Sequence, residues 1–578
     1  MREKKSKQQV RISWIAVFLC IICMAIVYRL FVLQILTFDY YTALASNTHE
    51  IYKQLFPKRG NIYIQDSRSD FNNEYPVAVQ RPYYLVYAVP LEIDSSEAAS
   101  TTALLAGILN YDKEQADLLL DRLLKNNDPY EVVEKKVFDD VVEKINKLGL
   151  KGIYYISKDH RYYPENCLVS SLVGFVGSDT NGNLAGRYGI ESAWEKELAG
   201  TSGFLIGTKG AQGSIISAAS KTLQKSEDGP DLLLTIDRSI QYQACETLRN
   251  GFVEYKAKSA SLIILDSQTG AILAMCSLPD YDPNNYSQEK NASVFNNNTV
   301  EAYEPGSVFK PITMAIGLDL NLVNPDTLFT DPGVRIISGY KVHNAMEKKY
   351  GTVTMTQVLE NSINTGVIWV QEKIGESRFK NYIERFGFGK KTGIKISGES
   401  AGNISSLSKN APIYGANASF GQGFTVTPLQ LATAYTALAN NGKLMKPYVI
   451  EEIRYKNGKT EKIRPQVVET VISERTQKLI TGMMISVVEK GNGYVAVKMD
   501  DYYIAGKTGT AQIASLQGGY SEESNHTFVG FFPAKQPRFV MVVKYEAPAR
   551  QWAESTAAPT FKKVADFTLK YYGIAGDK

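Results

Sequence analysis

The chain has 578 residues, too many for one hydrophobic core, so two or more folded units are expected. Its composition, with 44% hydrophobic and 21% charged residues, is that of a globular protein and excludes a largely disordered chain. The net charge of +4 is too balanced for a nucleic-acid-binding protein, and no basic stripe stands out away from the N-terminus.

An apolar run follows the basic N-terminus. Residues 12–36 supply the roughly 20 helical residues that cross a bilayer, provided that Arg29 extends to the interface. Five basic residues and one acid precede the run, so the positive-inside rule leaves residues 1–11 in the cytoplasm and the rest outside. A cleaved signal peptide, with a small-residue site at 43–45, and a lipoprotein site at Cys20 are the competing interpretations. A retained single-pass anchor is favoured.

The cysteines and histidines indicate no metal site. Cys20 and Cys23 fall inside the apolar run. The other three cysteines, Cys167, Cys245 and Cys276, show neither metal-ligand spacing nor a disulfide pattern. The four histidines are scattered, so neither a zinc site nor a histidine-based triad is predicted. We expect no metal and no other cofactor.

Two regions follow the apolar run. Residues 37–228 mix short strand-like runs with polar helical stretches, and no catalytic constellation emerges in them. A polar, turn-prone run at 225–230 marks the end of this region. We expect a second region at 229–578.

Strand pairs stand at both ends of the second region. Residues 261–265 and 271–275 predict one β-hairpin, and residues 528–532 and 538–545 predict another. Helical segments lie between them, and residues 556–572 predict a final helix. This pattern favours an α+β fold with one antiparallel sheet packed against helices.

Ser307 is the strongest candidate for a nucleophile. Pro305 and Gly306 predict a turn, and residues 308–320 are apolar nearly all round, as in a buried helix. Ser307 is then expected at the N-terminus of this helix, with Lys310 one turn later on the same face. A desolvated lysine can take the serine proton if its pKa falls from about 10 toward neutrality. Other Ser-x-x-Lys pairs in the chain open no buried helix behind a Pro-Gly turn.

Ser362 and Asn364 form a second motif, Ser-x-Asn. Thr354 and Gln357 predict a capping box for a helix that ends just before them. We expect both motif residues in the turn before the next apolar helix, which starts at Val367, where they present a hydroxyl and an amide to a cleft. An isolated match of this kind is more often an ordinary loop.

The third motif is Lys507-Thr508-Gly509-Thr510, directly after a strand-like run at 502–506. A strand edge that carries a lysine and hydroxyl groups can bind a carboxylate and offer a backbone N–H to an acyl oxygen. A second Lys-Thr-Gly at 391–393 lacks a preceding strand, and we interpret it as structural.

The three motifs together resemble those of the penicillin-binding proteins and serine β-lactamases. The resemblance covers nearly the whole chain and points to the class B penicillin-binding proteins. The segments that carry it are residues 29–35, 59–63, 186–191, 421–423 and 427–430. Residues 386–394, with Gly398 and Glu399 after them, are most similar to division-type (septal) members.

The resemblance implies an α+β protein with a single transmembrane helix, an elongated N-terminal pedestal and a transpeptidase domain like that of serine β-lactamases, with an antiparallel sheet flanked by helices. The implied domains are a cytoplasmic tail at 1–11, an anchor at 12–36, a dimerisation-like pedestal at 37–228 and the transpeptidase domain at 229–578.

The resemblance also implies residue roles. Ser307 attacks the penultimate D-Ala carbonyl of a stem pentapeptide, and Lys310 takes its proton. Ser362 relays a proton to the leaving amine, while Asn364 holds Lys310 and the substrate amide. The substrate carboxylate and carbonyl are bound by the third motif, with Lys507 as its catalytic residue and Thr508, Gly509 and Thr510 as its substrate-binding residues.

The implied activity is serine-type D-Ala-D-Ala transpeptidation in septal peptidoglycan synthesis. The implied partners are stem peptides, penicillin and other β-lactams, a membrane glycan polymerase and divisome proteins, but no nucleic acid. The alternatives are an elongation-type transpeptidase, a D,D-carboxypeptidase, and an inactive β-lactam-binding sensor or scaffold.

Overall fold

The computed structural model describes residues 2–32, 50–67, 74–125, 127–178, 184–208, 222–286, 296–409, 411–491, 496–515 and 518–578. In chain order its α-helices are α1 (Arg2–Phe31), α2 (Ala98–Leu109), α3 (Lys113–Leu123), α4 (Asp139–Lys147), α5 (Ser170–Val173), α6 (Gly189–Ala193), α7 (Glu195–Leu198), α8 (Arg238–Tyr255), α9 (Asn297–Val300), α10 (Lys310–Asp319), α11 (Met355–Glu360), α12 (Asn364–Ile374), α13 (Glu376–Arg385), α14 (Pro412–Ser419), α15 (Pro428–Ala439), α16 (Glu474–Lys490) and α17 (Ala557–Tyr571). Its strands are β1 (Glu50–Leu55), β2 (Ile62–Gln65), β3 (Glu74–Ala88), β4 (Glu131–Val137), β5 (Ile153–Tyr162), β6 (Phe175–Ser178), β7 (Leu184–Arg187), β8 (Gly203–Thr208), β9 (Thr222–Gln224), β10 (Asp231–Asp237), β11 (Ser259–Asp266), β12 (Ile272–Leu278), β13 (Leu328–Asp331), β14 (Val334–Ile337), β15 (Tyr340–His343), β16 (Gly351–Thr354), β17 (Lys443–Met445), β18 (Ile450–Arg454), β19 (Thr460–Lys462), β20 (Val467–Thr470), β21 (Ala505–Ala514), β22 (Tyr520–Phe532) and β23 (Phe539–Glu546).

The chain divides into two compact units, of which the first comprises residues 1–58 and 200–228. In this unit β1, β8 and β9 form a three-stranded antiparallel sheet in the order β1-β8-β9. Helix α1 contains an apolar stretch, Trp14–Phe31, that is long enough to cross a membrane, as predicted for an anchor. Residues 33–36 of the predicted span lie outside the described residues.

The second unit comprises residues 59–199 and 229–578. Its largest sheet has seven strands. Six of them follow the order β19-β18-β10-β2-β3-β4, and the seventh, β5, also pairs with β3. Strands β2 and β10 pair in parallel, and the other neighbours are antiparallel. Strands from before and after the predicted boundary at 228 therefore share one sheet, and the domain limits themselves stay predictions.

A buried ion-pair cluster joins two of the segments that carry the family resemblance. Glu191 is fully buried and accepts hydrogen bonds from Arg59 (Nε, 2.7 Å) and Arg161 (Nε, 2.6 Å). Burial alone raises the pKa of Glu191, but the two guanidinium groups outweigh it and hold the pKa below its ordinary value. Arg59 also pairs with Glu195, whose side chain is one-third exposed. The cluster thus fixes the segment around Arg59 against α6.

The other large sheet of this unit has five antiparallel strands in the order β12-β11-β23-β22-β21. Both predicted hairpins, β11–β12 and β22–β23, belong to it and are confirmed, as is the predicted final helix, which is α17. The ring of Phe561 in α17 packs on Phe528 and Phe532 of β22, with ring centroids 4.5 and 5.5 Å apart. The central helix α10 is buried from Lys310 to Leu318.

One expectation about the cysteines was wrong. The sequence pattern indicated no disulfide, but Cys245 of α8 and Cys276 of β12 form one. Helix α8 packs on β12, which brings together two residues separated by 31 positions in sequence. Spacing along the chain carries no sign of this packing.

The cluster around Glu191 generates a stability prediction. Glu191→Gln removes the carboxylate that two buried guanidinium groups share, so the free energy of unfolding should fall by about 3–5 kcal/mol. The pKa of Glu191 is lowered in the folded state, so its contribution is present above the unfolded pKa and is lost as the pH falls through the lowered folded value. Urea denaturation at neutral and acidic pH measures both effects.

Glu195→Gln is the matched control, because Glu195 pairs with the same arginine from a partly exposed position. It should cost less than about 1 kcal/mol. Equal losses for the two variants would contradict the assignment of the stabilisation to the buried carboxylate.

Candidate active site

Ser307 lies in a 3₁₀ turn, Gly306–Phe309, that leads directly into α10. The α-helix begins at Lys310, so the expectation that Ser307 opens it was wrong by one turn. Gly306 has φ +62°, and a Cβ at this position would lie 2.9 Å from the Cβ of Ala511. A glycine is therefore needed where the turn meets β21.

The amine of Lys310 is the centre of the site. The side chain is fully buried, and Nζ donates to the hydroxyl of Ser362 (3.0 Å), to its carbonyl oxygen, and to Oδ1 of Asn364 (2.7 Å). Burial lowers the pKa of Lys310 well below its ordinary value, and the positive charge of Lys507 lowers the pKa further. The predicted desolvated lysine is thus present.

Ser362 has an unusual backbone conformation. It lies just after α11 with φ +53°, a left-handed value at a position where helices usually place glycine. Its N–H donates to the carbonyl of Leu359 and the N–H of Ile363 donates to the carbonyl of Val358, the pair of bonds that closes a helix C-terminus. A non-glycine residue in this conformation costs on the order of 1 kcal/mol. The conformation directs both oxygens of Ser362 at Lys310.

Asn364 is held from both ends of its amide. Oδ1 accepts from Lys310, while Nδ2 donates to the carbonyl oxygen of His343 (2.9 Å). Helix α12 begins at Asn364, so the expectation that it starts at Val367 was wrong by three residues. The capping box of Thr354 and Gln357 on the preceding α11 is confirmed.

The motif Lys507-Thr508-Gly509-Thr510 lies within β21, at the edge of the five-stranded sheet. The predicted strand therefore begins later than expected, at Ala505, and includes the motif. Gly509 lies against the Ser307 turn, where an added Cβ would be 2.9 Å from the carbonyl oxygen of Pro305 and 3.2 Å from the amide nitrogen of Val308. The three motifs therefore meet around one turn.

The two threonines of this motif face the 3₁₀ turn Ala553–Ser555. The hydroxyl of Thr508 donates to Glu554 (2.7 Å), and the hydroxyl of Thr510 accepts from the N–H of Ala553 (3.2 Å). Thr508 is buried, whereas Thr510 is partly exposed. Thr510 is therefore the better placed of the two to meet a substrate.

Sequence reasoning missed Asp331, a buried carboxylate that supports the Ser-x-Asn turn. Asp331 accepts from the hydroxyl of Thr365 (2.5 Å), from Nδ2 of Asn344 (2.9 Å) and from the N–H groups of Gly333 (2.9 Å) and Tyr350 (2.8 Å). Burial raises the pKa of Asp331, but these hydrogen bonds outweigh it and the pKa lies below its ordinary value.

The Asp331 network is joined to the site through the residues next to the motif. Asn344 also accepts from the N–H of Thr365 (3.1 Å), and its neighbour His343 binds the amide of Asn364. In sequence, Asp331-Pro332-Gly333 has only the composition of a turn. Apart from Gly333, the partners of Asp331 lie 13 to 34 residues further along the chain, and no local pattern connects them to it.

A cleft of about 650 Å³ opens beside Asn364, the partner of Lys310. This volume is within the usual range for ligand sites, roughly 300–1,000 Å³. Its lining includes Lys341, His343, Asn364, Tyr414, Gln512 and Tyr520. The hydroxyl of Tyr520 donates to Glu304 (3.0 Å), which also accepts from the N–H of Gly423 (3.0 Å). The wall of the cleft is thus tied to the segment that precedes Ser307.

The second Lys-Thr-Gly has a structural role, as interpreted from the sequence. The N–H and hydroxyl of Thr392 both donate to Glu399 (2.6 Å each), and the N–H of Gly393 donates to the same carboxylate (3.2 Å). The backbone N–H groups of Thr392 and Gly393 therefore both bind a carboxylate of their own loop.

Comparison with known proteins agrees with this geometry. Residues 260–566 match the family described as penicillin-binding protein transpeptidase domain, and residues 54–234 match that described as penicillin-binding protein dimerisation domain. Stage V sporulation protein D of Bacillus subtilis is 31% identical over an alignment of 589 positions, which covers 99% of this chain and 88% of that protein. The chain belongs to the class B penicillin-binding proteins.

Two further relatives of this penicillin-binding protein cover most of its length. The peptidoglycan D,D-transpeptidase FtsI of Escherichia coli K12 is 30% identical over 508 positions, or 87% of this chain and 83% of that protein. The solved structure of a peptidoglycan synthetase from Bifidobacterium adolescentis has a TM-score of 0.71 at 27% identity and covers 92% of this chain and 98% of that one.

The Asp331 network predicts an indirect effect on the penicillin-binding site. Asp331→Asn and Thr365→Val should each lower the rate constant for labelling by a fluorescent penicillin by about tenfold or more, because Asn364 loses its support and small displacements of reacting groups are costly. Both variants should also shift the pH dependence of labelling, since Asn364 is a hydrogen-bond partner of Lys310.

Thr365→Ser keeps the hydroxyl and is the matched control, with labelling close to that of the wild type. Thermal unfolding of each variant separates loss of fold from loss of positioning. An unchanged pH profile in Asp331→Asn and Thr365→Val would contradict a positioning role.

Proposed function

We propose that this protein is a peptidoglycan D,D-transpeptidase of the division type, which cross-links stem peptides through an acyl-enzyme at Ser307. The observation that carries the proposal is the convergence on one turn of a buried amine, its two polar partners and the Lys-Thr-Gly strand. The Escherichia coli relative is itself a peptidoglycan D,D-transpeptidase.

The acylation step uses Lys310 as the general base. An ammonium group donates three hydrogen bonds, and Ser362 and Asn364 offer Lys310 three acceptors. A neutral amine donates only two and keeps a lone pair, which can accept the proton of Ser307. The lowered pKa of Lys310 favours this neutral form. Ser307 Oγ then bonds to the penultimate D-Ala carbonyl carbon, and Lys310 carries the proton.

The collapse of the tetrahedral intermediate releases the terminal D-Ala. The backbone N–H groups of Ser307 and Thr510 stabilise the oxyanion. The C–N bond breaks, and the proton held by Lys310 reaches the leaving amine through the hydroxyl of Ser362. An amine of a neighbouring stem then attacks the ester, gives its proton back along the same path, and restores Ser307 as the new amide forms. β-Lactams acylate Ser307 as mimics of the donor.

The substrate carboxylate is bound by the Lys-Thr-Gly strand. Lys507 is buried beside Lys310, and its positive charge would pair with the bound carboxylate. Strand β21 is at the edge of its sheet, so an extended stem peptide can lie along it. Thr510 contacts the carboxylate directly, and Thr508 contributes only if its hydroxyl leaves Glu554.

The proposed organisation is a cytoplasmic tail at 1–11, a membrane anchor at 12–36, a pedestal at 37–228 and a transpeptidase domain at 229–578. The excess of basic residues before the apolar helix supports an N-terminus inside the cell and a catalytic region outside. The pedestal would hold the catalytic region away from the membrane and contact a membrane glycan polymerase and other division proteins. The name of the Bacillus subtilis relative supports a septal or sporulation setting over cell elongation.

Lys310 generates a pH prediction. Only the neutral amine can accept the Ser307 proton, so the rate constant for acylation by a fluorescent penicillin should rise with pH through the lowered pKa of Lys310 and then level off. Lys310→Arg keeps a positive charge that does not deprotonate, and it should lower the rate constant at least about 100-fold. Gel fluorescence time courses between about pH 5 and 9 measure both.

Ser307→Ala is the control for the nucleophile and should show no covalent label. Label that survives this substitution would place the nucleophile elsewhere. A rate constant for Lys310→Arg close to that of the wild type would remove Lys310 as the base.

The group that accepts the acyl chain from Ser307, an amine or water, distinguishes transpeptidase from carboxypeptidase activity. With a purified pentapeptide donor and a labelled D-amino acid as the acceptor amine, the wild type should release D-Ala and form the new amide in comparable amounts. Mass spectrometry of the products measures the partition. D-Ala release with only the hydrolysed tetrapeptide would indicate a D,D-carboxypeptidase, and labelling by penicillin without turnover would indicate a sensor or scaffold.

A further inference from the structure

A second cavity, which we call the basic socket, shares no lining residue with the cleft beside Lys310. Its volume is about 180 Å³. The apolar part of its lining consists of Trp194, Pro447, Val449, Ile450 and Ile463. Trp194, Val449 and Ile450 are almost fully buried, so the floor of the socket is part of the folded core.

The walls of the socket are fixed by backbone hydrogen bonds. The N–H of Lys446 donates to the carbonyl of Gln466 (2.9 Å), and the N–H of Tyr448 donates to that of Gly270 (3.1 Å). Elsewhere in the lining, the indole N–H of Trp194 donates to the carbonyl of Lys395 (3.3 Å). The cavity is therefore preformed.

The charged residues that line the socket are all basic. They are Lys395, Lys446 and Arg464. The Lys395 amine lies 4.3 Å from the centre of the Trp194 ring, a cation–π contact. In the part of the chain that the structure describes, no carboxylate forms an ion pair with any of these three residues.

Two carboxylates close to these residues in sequence have other partners. Glu399 accepts from Thr392 and Gly393. Glu451 accepts from the side-chain amide of Gln65. The lining of the socket thus contains three cations and no carboxylate, an arrangement that complements an acidic ligand.

The size of the socket limits what can fill it. Ligand pockets are usually about 300–1,000 Å³, whereas an apolar cavity of about 150 Å³ holds a benzene ring. A cavity of 180 Å³ therefore fits one large apolar side chain rather than a cofactor.

We propose that the basic socket is a docking site for an acidic segment of a partner protein, which inserts one aromatic or large aliphatic side chain between Trp194 and Ile463. The carboxylates that flank this side chain lie against Lys395, Lys446 and Arg464. A buried apolar anchor surrounded by charged contacts is the usual form of an energetic hot spot. The proposal does not depend on the transpeptidase chemistry.

A protein segment fits the socket better than an anionic membrane surface does. A membrane surface presents its charges on a broad plane, whereas the three cations here surround a small concave site with a rigid floor. A single side chain on an extended backbone reaches such a floor.

The test uses the full-length protein in detergent and fluorescein-labelled peptides with capped ends. The probe is Asp-Glu-Phe-Glu-Asp, and the comparison peptides are Asp-Glu-Ala-Glu-Asp and Lys-Lys-Phe-Lys-Lys. The double variant Lys446→Glu/Arg464→Glu reverses the rim charge. The matched control, Lys443→Glu/Lys462→Glu, makes the same change in net charge at two exposed lysines outside the socket.

Fluorescence anisotropy at low and physiological salt measures the binding. We expect the acidic phenylalanine peptide to bind the wild type and the matched control, and to bind the double variant at least about tenfold more weakly, with the difference reduced by salt. The alanine peptide should bind about tenfold more weakly, because its side chain leaves the socket empty. Penicillin labelling should be the same in all variants, so a failure of this proposal is distinguishable from a failure of the proposed function.

Three results would overturn the proposal. One is the absence of binding by the acidic phenylalanine peptide. Another is equal binding of the phenylalanine and alanine peptides, which would reduce the effect to charge alone. The third is binding of a fluorescent short-chain phosphatidylglycerol that the double variant loses, without binding of the peptide, which would assign the socket to a lipid.

Discussion

The site depends on the burial of one amine. Lys310 lies at the start of a helix that is buried on all sides, and water cannot stabilise its charge there. Its three acceptor atoms come from two residues of a single short turn, and the cation that lowers its pKa, Lys507, comes from the edge of a sheet. The helix, the turn and the strand must therefore each hold its position. Only then is the amine neutral before the reaction and still basic enough to accept the proton of Ser307.

The surrounding structure supplies that rigidity at several levels. The left-handed conformation of Ser362 is held by the hydrogen bonds that close α11, and the capping box at Thr354 holds the other end of the same short helix. The buried carboxylate of Asp331 accepts four hydrogen bonds, and the one from Thr365 holds the start of α12. Each of these contacts contributes only modestly to stability, but all of them help to position the three acceptor atoms around the amine of Lys310.

The sequence predicted the reactive residues better than the residues that hold them in position. The three motifs, their order, the buried lysine, both hairpins and the capping box could all be read from local patterns, because each depends on residues a few positions apart. Helix starts were wrong by about one turn at Lys310 and Asn364, because a 3₁₀ turn and a tight loop have no distinct apolar periodicity. Asp331 and the Cys245–Cys276 disulfide depend on contacts made only after the chain folds, so local patterns could not reveal them.

The seven-stranded sheet has a mechanical consequence. Strands β2 to β5 and strands β10, β18 and β19 belong to one continuous set of hydrogen-bonded neighbours, although they come from opposite sides of residue 228. A force applied at β5 is therefore carried across the sheet to β18 as shear between paired strands, which resist it together. Strands β2 to β5 therefore cannot separate from β10 and β18 without breaking the hydrogen bonds between β2 and β10, so the parts of the sheet on either side of residue 228 move together under load.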